Sequence, residues 1–510
     1  MIDERRLLER AAGAVPPPEH VMDALHHRRD RKLRNRRLGA LALAACLTVA
    51  LVAGAVQAIH GAERKQPAAP TITPGNAAAL QQIGSDPLLF PIHQGFRTAT
   101  GDGILAMGAA KYGSSVGQLV VYPFPCAGAD VPCTALWRAK LDGPGMPTIA
   151  GGSVFVTGLD GDTLYAFPTN CATGGSQCRP SWTAPIGRWR FPFERRGASE
   201  PPLVVTSDGT TRVYVISGRG VLGFDPQCAT DGGRCRPAVS IETDHPVNAL
   251  AYGDDLLYVG MGNLGHPGSL GTRNLGPLSA YSASCLEARG LRSTGCLSWS
   301  HPVGPIGDVA IDGSGAYVGL QGGGIRAYPI GCIRAGTTCP SSWKAKTSGN
   351  TVLTVEDGVV YADDETQHAL AFPTSCSSRT ECQPQWTSRG LLGVPFEGFD
   401  RPVVSDSLVF VGGDAGWIYA YDRTCSGSCD PSARLFIADQ DGTPGIWDAT
   451  VSGNRLYVAA EDGLHVYAPG SPKAVEVPSA GEAPIFYLAL ALVGGTLLAI
   501  GLRRRRRRQL

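Results

Sequence analysis

Fifteen cysteines are the residues of this 510-residue sequence with the most regular spacing, and fourteen of them form seven close pairs. The pairs are Cys126 and Cys133, Cys171 and Cys178, Cys228 and Cys235, Cys285 and Cys296, Cys332 and Cys339, Cys376 and Cys382, and Cys425 and Cys429. The fifteenth, Cys46, lies in a long apolar run. Two chemistries use cysteines at such intervals. Zinc needs four ligands in a tetrahedron, so neighbouring pairs would have to converge on one ion. A disulfide needs only the local pair and an oxidising compartment. The pairs recur once per repeat, which keeps them apart in space, and the spacing predicts seven local disulfides.

Little else in the sequence is arranged for chemistry. His93, His245, His266, His301, His368 and His465 are scattered without metal-ligand intervals. Asp208-Gly209, Asp357-Gly358, Asp441-Gly442 and Asp462-Gly463 lack the alternating carboxylates of a calcium loop and read as hairpin turns. Gly313-Ser314-Gly315 has the wrong intervals for a nucleophile elbow. No catalytic residue, metal or cofactor is expected. One polar feature recurs: Pro192-Phe193-Glu194 and Pro395-Phe396-Glu397, each shortly before a Pro-Leu-Val or Pro-Val-Val strand start. Arg188, Arg190, Glu194, Arg195 and Arg196 in the first segment, with Glu397, Asp400 and Arg401 in the second, form a candidate partner surface. The alternative is loop decoration copied by repeat duplication.

The elements that would position these residues follow from a period of roughly 45–57 residues. Its sign is a strand ending in an aromatic, then a cysteine pair, then usually Trp, as in Tyr122, Cys126, Cys133 and Trp137. An eighth aromatic strand, Leu464-His465-Val466-Tyr467, has no cysteines. A β-branched strand precedes each aromatic one, as in Val154-Phe155-Val156 or Val409-Phe410-Val411, with Gly-rich hairpin punctuation between them. A further apolar segment lies before each pair and a fourth strand begins near the Trp. The repeat is therefore four antiparallel strands, A to D, and the predicted fold class is all-β: an eight-bladed propeller over residues 86–470. Each disulfide would span a C–D hairpin. Leu88 to Ile92 is expected to supply strand D of the eighth blade beside Tyr467, so that the two chain ends close the ring and this blade needs no disulfide.

Gly161-Asp162-Thr163-Leu164-Tyr165-Ala166-Phe167 followed by Trp182 resembles the repeat of quinoprotein-like propellers, the pyrroloquinoline-quinone type, and the resemblance extends over roughly residues 85–470. It implies that Trp137, Trp182, Trp299, Trp343 and Trp386 dock between adjacent blades. The family holds quinone-dependent dehydrogenases and non-catalytic scaffolds. The sequence has neither the adjacent Cys-Cys pair of the former nor a Cys-x-x-Cys-His haem motif, so the fold carries over and the quinone does not.

The formal charge of +1 conceals a partition. Residues 1–37 carry ten Lys and Arg against six Asp and Glu, and Arg503 to Arg508 form a basic tail. The remainder has 29 basic and 38 acidic residues, which argues against a nucleic-acid partner. The apolar runs 38–59 and 484–502 are each long enough for a transmembrane helix, and their basic flanks place both termini in the cytoplasm with the propeller outside. This divides the chain into a cytoplasmic arm (1–37), a span (38–59), a linker (60–85), the propeller (86–470), a linker (471–483), a span (484–502) and an Arg tail (503–510). Val56-Gln57-Ala58 offers the alternative of a cleaved signal peptide. Val477-Pro478-Ser479-Ala480-Gly481-Glu482 before the second run looks like a departed cell-wall sorting signal. The arm, with Glu4-Arg5-Arg6-Leu7-Leu8 and Pro16-Pro17-Pro18, resembles those of actinobacterial single-pass membrane proteins. The sequence thus predicts a membrane-anchored, extracytoplasmic binding or scaffold module for an envelope protein, glycan or small ligand. A quinone-dependent oxidoreductase and a transmembrane sensor are the competing classes.

Overall fold

The computed structural model describes residues 71–469 apart from connecting segments, the longest of them 188–200, 263–275 and 390–400. The eight repeats form eight sheets, each with four antiparallel strands in the order A-B-C-D. Blade 1 comprises Gln94–Gly101, Ile104–Ala110, Val116–Pro123 and Trp137–Asp142; blade 2 Pro144–Ala150, Ser153–Gly158, Thr163–Pro168 and Trp182–Pro185. Blade 3 comprises Leu203–Ser207, Thr210–Ile216, Gly220–Phe224 and Val239–Glu242; blade 4 Val247–Gly253, Leu256–Met261, Pro277–Ser282 and Leu297–Pro302. Blade 5 comprises Ile306–Ile311, Gly315–Leu320, Ile325–Pro329 and Trp343–Ala345; blade 6 Thr351–Glu356, Val359–Asp364, Ala369–Pro373 and Trp386–Ser388. Blade 7 comprises Val403–Val404, Leu408–Gly412, Trp417–Asp422 and Ala433–Phe436.

Blade 8 takes strands A to C from Ile446–Ser452, Arg455–Ala460 and Gly463–Pro469, and strand D from Leu80–Pro87 at the other end of the domain. Closure by both chain ends is therefore present, but the expected segment is corrected. Leu88 to Ile92 lies outside the described residues, and the strand that pairs with residues 463–469 is eight residues earlier, with Gln82 opposite Tyr467 and Ser85 opposite His465.

Local chemistry fixes the hairpins. The A–B turns place Asp102, Asp208, Asp254 and Asp357 at φ between 48° and 56°, and Gly103, Gly209 and Gly358 follow at φ of 73–76°. Two successive positive φ angles are the requirement of the two-residue turn that matches strand twist, and Asp-Gly meets it cheaply. Strands B and C are buried on both faces, as in Leu408–Gly412, because each blade is sandwiched between two others. Strands A lie side by side around the axis, and strand A of blade 8 meets strand A of blade 1.

One expectation about the fold class is corrected. No helix among the described residues is long and apolar enough to cross a membrane. The longest, Ala283–Arg289, has seven residues, whereas a span needs about 20. The predicted spans 38–59 and 484–502 lie outside the described residues, and the fold class of the described residues is an all-β eight-bladed propeller with no membrane-crossing helix among them.

The core is divided into eight apolar clusters, one at each interface between blades. The cluster between blades 1 and 2, for example, joins Ile104, Ala106, Leu119, Val121 and Trp137 of one to Val154, Val156, Phe167 and Cys178 of the next. Burial is thus spent on holding neighbours together.

Candidate functional site

All seven predicted cysteine pairs are disulfides, and each closes a C–D connection. Their packing partners, however, belong to the preceding blade. The Trp182 indole N–H donates to the Pro226 carbonyl at 2.9 Å, two residues before Cys228, and its ring sits 6.2 Å from Phe224. Trp137 donates to Thr169 at 3.1 Å and Trp343 to Thr374 at 3.2 Å, again two residues before a cysteine. Trp386 stacks on Tyr421 of blade 7, and Trp299 lies against Tyr328 of blade 5.

The second cysteine of the loop completes the contact from the other side. Cys178 N–H donates to Arg138 O, Cys235 N–H to Thr183 O and Cys382 N–H to Lys344 O, each acceptor being the residue after a docked Trp. In two places the loop becomes a short fifth strand: Gly233–Arg234 runs parallel to strand D of blade 2, and Gly427–Cys429 parallel to strand D of blade 6. A strand-D edge with free N–H and C=O groups would invite association, and these loops cover it.

Around the channel, polar side chains on strands A bond from blade to blade. Asp308, only 1% exposed, accepts from Val309 N–H and, through its other oxygen, from Leu353 N–H of blade 6, both at 2.8 Å. Arg401, at the entry to blade 7, reaches past blade 6 to pair with the same carboxylate. Asn248 donates to Gly262 O at 3.2 Å and to Ile306 O of blade 5 at 3.0 Å. Asp448 accepts from the Thr98 hydroxyl of blade 1 at 2.9 Å. Asn248, Asp308 and Asp448 all sit at a bulge in strand A, where one extra residue turns a side chain toward the neighbouring blade. Sequence reasoning missed all three, although a lone Asn or Asp inside an apolar strand was the available signal.

Of the candidate partner surface, Arg188, Arg190, Glu194, Arg195, Arg196, Glu397 and Asp400 lie outside the described residues. Arg401 is described, and it is a structural anchor: its side chain is 29% exposed and tied to Asp308. The strands that flank the two Pro-Phe-Glu connections are D of blade 2 with A of blade 3, and D of blade 6 with A of blade 7. In a ring of antiparallel four-stranded blades every D–A connection leaves from the same face, so these two start and finish on one face, four blades apart.

On the opposite face, where A–B turns and disulfide loops lie, ion pairs tie blades at the rim. Arg212 of blade 3 pairs at 3.0 Å with Glu287, on the helix Ala283–Arg289 of blade 4. Burial pushes the Glu287 carboxyl up despite Arg212 beside it. Arg423 of blade 7 donates to the Tyr361 hydroxyl and to Asp357 of blade 6 at 2.9 and 3.0 Å. A shallow hollow of about 420 Å³ opens between blades 5 and 6, lined by Ser314, Tyr317, Tyr328, Ser342, Thr374 and Cys376. Burial pushes the Tyr317 hydroxyl up to about 12, so it is a neutral hydrogen-bonding group at physiological pH. Among the described residues no three His, Cys, Asp or Glu side chains are grouped to hold a metal.

No known protein family matches the sequence, and no curated protein does. Solved structures match in fold. Sqt1 from Chaetomium thermophilum is 13% identical with a TM-score of 0.52, over 78% of this chain and 99% of its own. The same protein bound to the N-terminus of the ribosomal protein L10 is 14% identical with a TM-score of 0.50, over 76% and 100%. BamB from Moraxella catarrhalis is 16% identical with a TM-score of 0.47, over 77% and 98%. At these identities the likeness is one of fold, and the quinoprotein resemblance rests on the sequence motifs alone.

Proposed function

We propose that this propeller is a non-catalytic binding or scaffold module working in an oxidising compartment outside the cytoplasm, and that its partner is a protein engaged at the face from which the D–A connections leave. The observation that carries this reading is the commitment of the described polar side chains to joining blades. Asp308, Asp448, Asn248, Arg401 and Arg423 each bond across a blade boundary. A frame held this way presents its long connections from fixed ends, the arrangement that lowers the ordering cost of binding. Seven disulfides support the compartment. A protein partner agrees with the solved complex of a similar propeller with the N-terminus of a ribosomal protein.

The test is quantitative co-purification with the tagged full chain, comparing the wild type with a variant that carries Glu at Arg188, Arg190, Arg195 and Arg196. Partners that depend on this face should drop out of the variant while its thermal transition stays in place. An unchanged partner list, or dye reduction by the wild-type protein supplied with quinone and calcium, would overturn the reading.

A further inference from the structure

Seven blade interfaces contain cysteine side chains of the later blade's disulfide loop, and the interface between blades 7 and 8 contains none. Blade 8 has no cysteine, and its strand D is borrowed from the other end of the domain. Strand D of blade 7 also departs from the pattern, with Ala433 at the register position, opposite Ala420 of strand C, where five other blades place Trp. Both losses fall on the same boundary. In the cluster there, the missing bulk is supplied by Ile72 and Ala77, 2% and 1% exposed, packed with Leu408, Phe410, Ile418 and Ala433. The short 3-10 helix Ala77–Ala79 lies against strand Ala433–Phe436, and the Ser407 hydroxyl donates to the Ile72 carbonyl at 3.1 Å.

This segment is shaped by its own hydrogen bonds. Asn76 accepts from Thr73 N–H at 2.7 Å and donates to the Thr71 carbonyl at 2.8 Å, while Ala77 N–H bonds to Thr73 O at 2.9 Å. These are bonds within the segment, so detaching it breaks few of its own polar contacts. We propose that residues 72–79 are the eighth clasp of the ring and its latch. At the other seven boundaries the clasp is a disulfide loop fixed to its own blade. Here it is a stretch of chain held by two apolar side chains and the Ser407 contact. The ring opens at the blade 7–blade 8 interface by releasing residues 72–79, with no covalent bond broken. Release uncovers the outer edge of Ala433–Phe436 and the apolar side chains of Leu408, Phe410 and Ile418, which are completely buried when the latch is closed.

Hydrogen exchange of the full, oxidised chain read by mass spectrometry tests the latch. Ile72→Ala should speed exchange in peptides covering 408–412 and 433–436 by at least about tenfold, because truncating a buried Ile weakens local closure by more than one decade of the equilibrium constant. Peptides covering 153–158 and 182–185, at an interface with a disulfide clasp, should be unchanged. Ser407→Ala, which leaves the apolar core intact, should act at the same two sites with a smaller factor. Unchanged exchange at 433–436 in both variants would overturn the proposal. So would acceleration of equal size in every blade, since the segment would then be ordinary core and not a latch.

Discussion

The indole N–H of Trp343 and the carbonyl of Thr374 meet at 3.2 Å across the boundary between blades 5 and 6, and two residues beyond Thr374 the Cys376–Cys382 disulfide begins. Cys382 N–H returns a bond to Lys344 O, beside the same Trp. The tryptophan of one blade and the disulfide of the next are therefore one mechanical unit. Trp343→Phe and the pair Cys376→Ser with Cys382→Ser should not add in a double-mutant cycle. The coupling should lie at about 0.5–3 kcal/mol, the range for residues in direct contact. The same cysteine pair combined with Trp182→Phe, four blades away, should add within about 0.5 kcal/mol. Denaturant midpoints under oxidising conditions give both, and additivity at Trp343 would dissolve the unit.

Asp308 and Arg401 supply a second test, of the channel. Asp308 is buried and its side chain is 2% exposed, so Arg401 and two backbone N–H groups take the place of water around its carboxylate. Removing one partner of a buried pair leaves an uncompensated charge, at a cost of about 3–5 kcal/mol. Arg401→Met should lose stability on that scale, and Asp308→Asn added to it should recover part of the loss, because the amide oxygen still accepts from Leu353 N–H without a charge. A midpoint for Arg401→Met equal to the wild type would show that Arg401 is no anchor.

Burial, and then the neighbouring Arg326, lowers the pKa of His301, whose ring stacks at 5.8 Å from Trp299. The unfolded chain therefore binds this proton at a higher pH than the native one. The consequence is a loss of stability as pH falls through the ordinary His value near 6.5. Glu287 and Glu356 act with the opposite sign at lower pH, since burial raises both. The clean readout is thus a difference: His301→Gln should show a flatter decline in melting temperature than the wild type between pH 7 and 5.5. Parallel curves would mean that His301 titrates alike in both states.

Blades were legible in the sequence because strands B and C are buried on both sides and so read as runs such as Val154-Phe155-Val156. Cysteine pairs and Trp mark each C–D hairpin in phase. The closing strand was misplaced for a physical reason. Strand D is outermost and needs little apolar surface, and Gln81, Gln82 and Ile83 are all exposed. Leu88 to Ile92 sits directly before the first strand A, where a strand D is due, but neither this position nor its apolar residues mark a strand at the rim. The Asp308–Arg401 pair joins residues 93 apart in sequence, and nothing local in either segment points to the other. Ile72 falls within the predicted linker 60–85, because the apolar neighbours that bury it are supplied by blades 7 and 8.

The register of the closing strand leads to the last prediction. Leu80 faces Pro469, Gln81 faces Ala468 and Gln82 faces Tyr467. A disulfide between Gln81→Cys and Ala468→Cys should therefore form, because cross-strand partners lie within the Cα separation that the bond requires. It would close a loop of roughly 390 residues, for which loop-closure entropy sets a ceiling of about 6 kcal/mol, against about 2–3 kcal/mol for the short native loops. Stabilisation short of the ceiling is expected, since the native ring already holds these ends together. The control is Phe90→Cys with Ala468→Cys, which tests the discarded register. Crosslinking is scored by the mobility of the oxidised chain on a denaturing gel and by free-thiol titration. Closure of the Phe90 pair in preference to the Gln81 pair would mean that the eighth blade is completed by the later segment. The Gln81 pair closing alone, with a raised melting temperature that falls back on reduction to that of the reduced chain without the added cysteines, fixes strand D of blade 8 at residues 80–87.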